Sequence, residues 1–540
     1  LRDTFGLREL REGQQDVISR VLRGQDTLAV MPTGAGKSLC YQLPALHLDG
    51  TTVVVSPLIS LMKDQAEKLA EAGVAAEQLN SALPKREQGE SMERIADAEN
   101  PIVFTTPERL TDAEFLQTLA SQKVALLVVD EAHCISQWGH DFRPAYLEIG
   151  TALKTLGQPP VLALTATATP DVVGDIGQQL GRELHVINTG IYRDNLRLQV
   201  VQATSEGEKF DRLLQALGKA QGGGIVYTAT VKACVELHER LQAAGESVTQ
   251  YHGRLSANER HANQDAFMQG QARIMVATNA FGMGIDKPDI RFVIHWQMPG
   301  SPEAYYQEAG RAGRDGVAAD CLLVFYRKDR QVQQFFLARR YPGADELREV
   351  VTALQRIEGP ASVAQIDEQL PQLARTRIAV ALNLLHDAEA VATDRARRWR
   401  LKRAPENAEA YAALAKAYEH KAERDREALE RMVFYAQTGF CRWRVLLEYF
   451  GEPVPFENGH CGHCDNCLRP PAASSGPVQE DALHKAPAAP RHEPRFKPGD
   501  EVQVPRYGSG KVVAATESEV TVAFANRTRR TFVSEVVRPV

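Results

Sequence analysis

The stretch Thr27-Leu-Ala-Val-Met31-Pro-Thr-Gly-Ala-Gly-Lys37-Ser38 decides the fold of this chain. A short apolar run, Thr27–Met31, ends in a glycine-rich turn and leads into helical sequence. That strand, loop and helix is the context a P-loop requires. Its glycines let backbone N–H groups approach phosphate oxygens, and the helix N-terminus behind them favours negative charge. Lys37 can reach a β/γ-phosphate as a point charge, and Ser38 can ligate Mg²⁺. Met31 stands where the motif ordinarily has its first glycine, but the Gly-Lys-Ser core is intact. Thr33, Gly34, Gly36, Lys37 and Ser38 are therefore the expected phosphate contacts.

Outward from this loop, short β-rich runs alternate with helical stretches as far as about residue 330, the rhythm of βαβ units around parallel sheets. Strands are expected at Thr27–Met31, Thr52–Ser56, Ile102–Thr105, Leu126–Asp130 and Val161–Thr165. A second series is expected at Gly224–Tyr227, Val248–His252, Arg273–Thr278, Phe292–Trp296 and Cys321–Phe325. Each run is nearly all apolar, as a strand buried on both faces should be. Two similar halves predict two α/β domains, 1–200 and 201–330, with the boundary near Ile191–Thr204. Asp130 and Glu131 end one strand of the first half. There an aspartate can hold Mg²⁺ and the adjacent glutamate can orient or deprotonate an attacking water. With the P-loop they define a nucleotide hydrolase. The second half supplies Gln307-Glu-Ala-Gly-Arg311-Ala-Gly-Arg314, whose two arginines, read as sharing one helical side, suit a phosphate in an interdomain cleft.

The 540 residues carry 63 Lys+Arg against 69 Asp+Glu, a formal net charge of −6, with 44% hydrophobic and 24% charged residues. These are globular values, which exclude wholesale disorder. No apolar run reaches the length of a membrane span, and no basic-then-apolar leader opens the sequence, which starts at Leu1 without a Met and so reads as trimmed. The expectation is a cytoplasmic protein with no membrane partner.

Beyond residue 330 helical periodicity takes over. Helices at Glu346–Ile357, Ser362–Glu368 and Arg375–Asp387 precede an extended piece, Ala390–Thr393, and a basic stretch with Arg395, Arg397, Arg398, Arg400, Lys402 and Arg403 around Trp399. That order reads as a winged-helix module over 331–405, or else as a helical spacer with a solvated basic turn. A charged helix, Asn407–Arg431, leads to Cys441, Cys461, Cys464 and Cys467 within 406–470. Four thiolates at C-x19-C-x2-C-x2-C suit tetrahedral Zn²⁺, although a C-x2-C-x2-C run also occurs in iron–sulfur ligation. His460 and His463 stand beside them as substitute ligands or solvated residues. Cys40, Cys134, Cys234 and Cys321 are scattered and read as packed. A Pro/Ala/Ser-rich linker fills 471–494. The final segment, 495–540, returns to short glycine-punctuated strands, a small β-barrel.

The ordered motifs resemble those of superfamily-two helicases, and specifically the RecQ family of DNA helicases. The carriers are Leu10–Gln14, Met31–Gln42, Val53–Gln65, Thr106–Leu110, Asp130–Tyr146, Leu164–Thr167, Tyr251–Gly253, Ala277–Asp289 and Tyr305–Gly316. The most discriminating of them is Ala132-His-Cys-Ile-Ser-Gln-Trp138-Gly-His140-Asp-Phe142-Arg143-Pro144, similar to that family's aromatic-rich loop. Cys441-Arg-Trp-Arg and Cys461-Gly-His-Cys-Asp-Asn-Cys467 resemble its zinc-binding subdomain. The resemblance implies two RecA-like domains, ATP and Mg²⁺ as cofactors, and a structural Zn²⁺. It also implies ATP-dependent 3′→5′ unwinding of single-stranded and forked DNA in recombination and repair. By residue, it implies that Arg11 and Gln14 read adenine, with Leu7 where the family often stacks an aromatic. Gly284 and Asp286 fall in a motif contacting ribose and DNA backbone, though Asp286 also suits a turn cap. His140, Trp138, Phe142 and Arg143 would couple single-stranded DNA to hydrolysis, because aromatic rings stack on bases and arginine holds phosphate. Phe496–Lys511 resembles the Tudor- or SH3-like tail of UvrD/PcrA-type helicases, which docks proteins such as RNA polymerase. A protein tether, a DNA-binding barrel and a plain surface domain all remain open for it. Two features depart from the family pattern: the helical insert precedes the zinc site, and a linker follows it. An RNA helicase and a DNA-binding scaffold with a decayed motor are the alternative readings.

Overall fold

The computed structural model describes residues 1–79, 90–91, 94–95, 98–136, 143–282, 287–340, 342–394, 398–470, 496–497, 499–504, 508–515, 519–524, 529–533 and 538–539. The expected Trp138, His140 and Phe142 contacts lie outside these residues, as do Gly284, Asp286 and the linker 471–494.

Seven strands form the first sheet: β1 (Thr27–Val30), β2 (Thr51–Val55), β3 (Ala76–Leu79), β4 (Ile102–Thr105), β5 (Val124–Val129), β6 (Val161–Thr165) and β7 (His185–Asn188). Their order is β3-β4-β2-β5-β6-β1-β7, and neighbouring strands run parallel. The central strands are buried on both faces because their side chains feed two separate apolar clusters. One cluster holds Leu28, Val53, Leu127 and Ala163, the other Ala29, Val54, Val128 and Leu162. This is the period-two alternation of a strand covered on both sides.

The second sheet contains β8 (Leu196–Ala203), β9 (Gly223–Tyr227), β10 (Val248–Tyr251), β11 (Ile274–Ala277), β12 (Ile290–His295) and β13 (Ala319–Tyr326), in the order β10-β11-β9-β12-β13-β8. It too is parallel. Because β8 pairs with β13 from Leu196 onward, the chain crosses between the sheets over residues 189–195.

The insert folds as the helix Ala344–Arg356, a bridge at Ala361, the helices Val363–Gln369 and Arg375–Asp387, and a hairpin of β14 (Val391–Thr393) and β15 (Trp399–Leu401). This is a winged-helix-like arrangement with its own core, including Leu347, Ile366, Leu382 and Val391. Ser362 caps its helix in a capping box with Gln365. The 30-residue helix Ala408–Gln437 lends Tyr411 to this core and Leu429, Met432 and Tyr435 to the core beneath the second sheet. The latter core also takes in Cys441, Trp443, Leu446 and Cys464, so the cysteine region is fused to the second sheet's apolar face.

By its contacts the chain divides into two units, Leu1–Pro471 and Ala472–Val540. In the second, β16 (Glu501–Val504), β17 (Gly508–Ala515), β18 (Glu519–Phe524), β19 (Arg529–Val533) and β20 (Arg538–Pro539) form an antiparallel sheet ordered β19-β18-β17-β16-β20.

Candidate active site and metal centre

Sheet order brings the phosphate loop and the carboxylates together. The loop follows β1, Asp130 follows β5, and Thr165 ends β6, which lies between them. Ligand chemistry gathers at such carboxyl ends of parallel strands.

The loop is held open from outside. Gln14 is buried: its Nε2 donates to the carbonyls of Ala35 and Gly36 at 3.0 and 2.9 Å, and its Oε1 accepts from the Arg11 backbone N–H at 2.7 Å. Arg11 donates to the Gly34 carbonyl. Gly36 has φ +78°, and a Cβ there would sit 2.6 Å from Gln14 Nε2, so only glycine fits. Both residues expected to read adenine thus fasten the backbone of the loop.

Lys37 Nζ donates to the Met31 carbonyl at 3.2 Å. Burial lowers its pKa, and the charges of Glu131 and Asp130 oppose that shift. Asp130 accepts from Ser56 Oγ at 3.3 Å and from the Glu131 backbone N–H at 3.0 Å. Burial first, and then Glu131, push its carboxyl up to about 7. Tyr146 Oη fixes the turn by donating to the Asp130 carbonyl at 3.1 Å. Glu131 itself has φ +49°, the left-handed region that a glutamate seldom adopts and that is held here by its surroundings. Its Oε2 lies 3.4 Å from Nδ1 of buried His133, which is also 3.0 Å from Thr165 Oγ1. Thr165 Oγ1 donates to the Thr167 carbonyl at 3.0 Å. A short polar chain therefore joins Glu131 to the segment after β6.

From the second sheet comes the loop that carries the two arginines. The helix Pro302–Ala309 ends before either of them, so the expectation that they share one helical side is corrected: they sit in the turn beyond it. Arg314 crosses the phosphate loop, its Cγ 3.4 Å from where a Gly34 Cβ would lie, and its charge acts on Lys37. The Arg311 guanidinium lies against Gly282, and the charges of both arginines act on Tyr227, whose hydroxyl donates to the Phe281 carbonyl at 2.9 Å. Gly310 meets Thr33 so closely that its Cβ position is 3.4 Å from Thr33 Cβ. A lysine lowered by burial beside a carboxyl raised by burial is an arrangement short of counter-charge, and a magnesium–triphosphate supplies both signs.

Of the aromatic loop, both ends are described. Ser136 Oγ donates to Asp175 Oδ2 at 2.6 Å, while the Arg143 backbone N–H reaches the Cys134 carbonyl at 3.0 Å and Nη1 reaches the Pro57 carbonyl at 3.3 Å. Ser136 is thus tied to the helix Pro170–Leu180, and Arg143 to the segments that follow β2 and β5.

In the cysteine cluster, the sulfurs of Cys441, Cys461, Cys464 and Cys467 all lie within 4.8 Å of one another. Tetrahedral thiolates at about 2.3 Å from a zinc ion are about 3.8 Å apart, so the cage fits one such ion and is tight for a multi-iron cluster. Contact between the sulfurs holds the Cys441 thiol below its usual range and pushes that of Cys461 above it, while burial raises that of Cys467, as expected of thiols crowded into one cage. His463 Nδ1 is 2.8 Å from the Cys461 carbonyl, and His460 Nδ1 is 3.6 Å from Cys467 Sγ, so both histidines border the cage. Around it, Arg442 pairs with Asp465, Asp465 accepts from the Val200 N–H at 2.9 Å, and Trp443 Nε1 donates to the Leu196 carbonyl at 3.3 Å. Cys40, Cys134, Cys234 and Cys321 are buried elsewhere.

His133 and Tyr146, which brace the carboxylate turn, fall inside the Asp130–Tyr146 stretch that carries the resemblance, but the sequence assigns neither of them a role. Fold and site together define a two-domain P-loop nucleotide hydrolase of the helicase type. The DEAD/DEAH box helicase family matches residues 11–176, the helicase conserved C-terminal domain 208–316, and the RecQ zinc-binding family 397–468. The chain is 37% identical over 471 residues to the probable ATP-dependent DNA helicase RecS of Bacillus subtilis, covering 86% of this chain and 90% of that one. It is 38% identical over 463 residues to the ATP-dependent DNA helicase RecQ of the same organism, covering 85% of this chain but 65% of that longer protein. The helicase Lhr of Mycobacterium smegmatis shares the fold, with a TM-score of 0.51 at 20% identity over 79% of this chain and 61% of that one. The chain belongs to the RecQ family.

Proposed function

We propose that this chain is an ATP-dependent DNA helicase that moves 3′→5′ on single-stranded DNA and opens forked duplexes. One observation carries the reading: the phosphate loop of the first sheet is met directly by the arginine loop of the second, at Gly34–Arg314 and Thr33–Gly310. An ATP site completed by two domains makes hydrolysis depend on their closure, which is what a motor requires.

In this reading Thr33, Gly34, Gly36 and Lys37 bind the phosphates. Ser38 and Asp130 hold Mg²⁺, which neutralises charge on the transferred phosphoryl group. Glu131, oriented by His133, takes a proton from the attacking water. Arg314 meets the developing negative charge, and Arg311 joins it on closure. Gly284 and Asp286 contact ribose and DNA backbone. Trp138, His140, Phe142 and Arg143 report bound DNA to Glu131. Arg11 and Gln14 set the loop and face the base. The zinc ion on Cys441, Cys461, Cys464 and Cys467 is structural. The modules are assigned as the two motor domains 1–200 and 201–330, the insert 331–405, the zinc subdomain 406–470, the linker 471–494 and the tail 495–540. The insert supplies duplex contacts and the tail tethers a protein partner, RNA polymerase or a repair factor. No helix among the described residues is long and apolar enough to cross a membrane, and the reading places the protein in the cytoplasm, in recombination and repair.

The test compares ATP turnover with single-stranded DNA and with RNA of equal length, for wild type and Trp138→Ala. DNA is expected to stimulate the wild type more than RNA does, and Trp138→Ala is expected to bind ATP yet lose the stimulation. Equal stimulation by RNA favours the RNA-helicase reading. Full DNA stimulation of Trp138→Ala removes the aromatic loop from the mechanism.

A further inference from the structure

Between the two sheets the chain passes through Ile191-Tyr-Arg-Asp-Asn-Leu196. Tyr192 is anchored edge-on against Trp443 and Phe456, with ring centroids 5.1 and 4.9 Å away. Its neighbour Arg193 enters the cleft. Nη1 of Arg193 donates to the Thr33 carbonyl at 3.3 Å and to the Gly310 carbonyl at 2.8 Å. Nη2 donates to the Ala312 carbonyl at 2.9 Å and to that of Gly313. Asn195 Nδ2 seconds it on the Gly313 carbonyl at 2.8 Å and also takes that of Val317 at 3.0 Å.

One guanidinium thus grips the phosphate loop of the first domain and three carbonyls of the arginine loop of the second. Those carbonyls bracket Arg311 and immediately precede Arg314. They also lie just past the C-terminus of the helix Pro302–Ala309, where the helix dipole favours a cation. A planar fork can hold several acceptors at fixed spacing, whereas an ammonium group cannot.

We propose that Arg193 is a positioning residue that sets the spacing between the phosphate loop and the arginine loop, so that Arg314 is presented over Gly34 for hydrolysis. This rests on the ATPase reading above and names a residue that reading does not use. Arg193 bonds backbone carbonyls, and the N–H groups that receive phosphate are left untouched. Its loss therefore spares nucleotide binding and costs the chemical step, since a displacement of about 1 Å in a catalytic group can cost about a hundredfold.

The experiment uses the full chain with ATP as substrate, oligo(dT) as activator, and a fluorescent ADP analogue to read nucleotide affinity. Arg193→Lys keeps the charge and loses the fork, while Arg193→Gln keeps an amide donor and loses the charge. Each is expected to lower kcat about tenfold or more, with nucleotide affinity within about threefold of wild type. In an Arg314→Ala background the same change is expected to subtract less than about twofold further, because the arginine it positions is gone. Retained kcat in both variants overturns the proposal. So do losses that multiply across the pair, or a joint fall of affinity and melting temperature that marks a purely structural role. Failure of the ATPase reading shows separately, as wild-type protein that oligo(dT) does not stimulate.

Discussion

Lys37 and Asp130 carry opposite charges that burial disfavours, and each is drawn toward its neutral form. Lys37→Ala is expected to abolish hydrolysis, measured as phosphate release, with far-UV circular dichroism unchanged. Burial, and then Glu131, push the Asp130 carboxyl up to about 7 from an ordinary value near 3.8. Between those values the folded chain binds more protons than the unfolded one, so stability falls as pH rises through the window. Asp130→Asn is therefore expected to raise the melting temperature of the magnesium- and nucleotide-free chain at about pH 8, with the gain vanishing toward about pH 4. A gain that grows on acidification contradicts the buried-carboxyl account. Lys37, Ser38, Asp130 and Glu131 are legible in the sequence because phosphate and magnesium chemistry fixes residue type and spacing. Arg193 is not, because it acts through backbone carbonyls that any sequence offers. The placing of Arg311 and Arg314 also escapes notice, since the helix stops at Ala309 and both lie in the turn beyond.

At the scale of elements, the ten strands expected from apolar runs in the two parallel sheets are all present within a residue or two, and those missed there are β3, β7 and β8. All three are edge strands, with β3 and β7 bounding the first sheet and β8 the second. An edge strand is covered on fewer sides, so its sequence lacks the continuous apolar run of a central one. His185-Val-Ile-Asn188 and Leu196-Arg-Leu-Gln-Val-Val-Gln-Ala203 show this mixed pattern. The cysteine region was legible by spacing, but its fusion to the second sheet was not. Trp443, fully buried between Tyr192 and Tyr306, is the hinge of that fusion. Trp443→Ala is expected to destabilise its domain by about 3–5 kcal/mol, read from denaturant unfolding. Chelation of the metal is expected to remove about one zinc per chain by elemental analysis and to lower the melting temperature, since site formation and folding are linked. More than one iron per chain, with acid-labile sulfide, contradicts the single-ion cage.

For the whole molecule, the net charge of −6 proved a poor guide to partners. Recognition of a phosphate chain rests on local groups. In the proposed reading that falls to Arg143 and to Arg375, Arg400 and Lys402, which are exposed on the insert. DNA binding is accordingly expected to weaken steeply with salt, and a titration of affinity against ionic strength checks it. The helix Ala408–Gln437 runs from the core of the insert to the core of the second domain and packs into both. The central claim is that closure of the two domains on ATP drives movement along DNA. It is tested most directly by unwinding duplexes bearing a 3′ or a 5′ single-stranded tail, with ATP turnover followed in the same samples. The account predicts unwinding of the 3′-tailed duplex only, with DNA-stimulated turnover, both lost in Lys37→Ala. Turnover without DNA stimulation, or equal opening of both substrates, would contradict it.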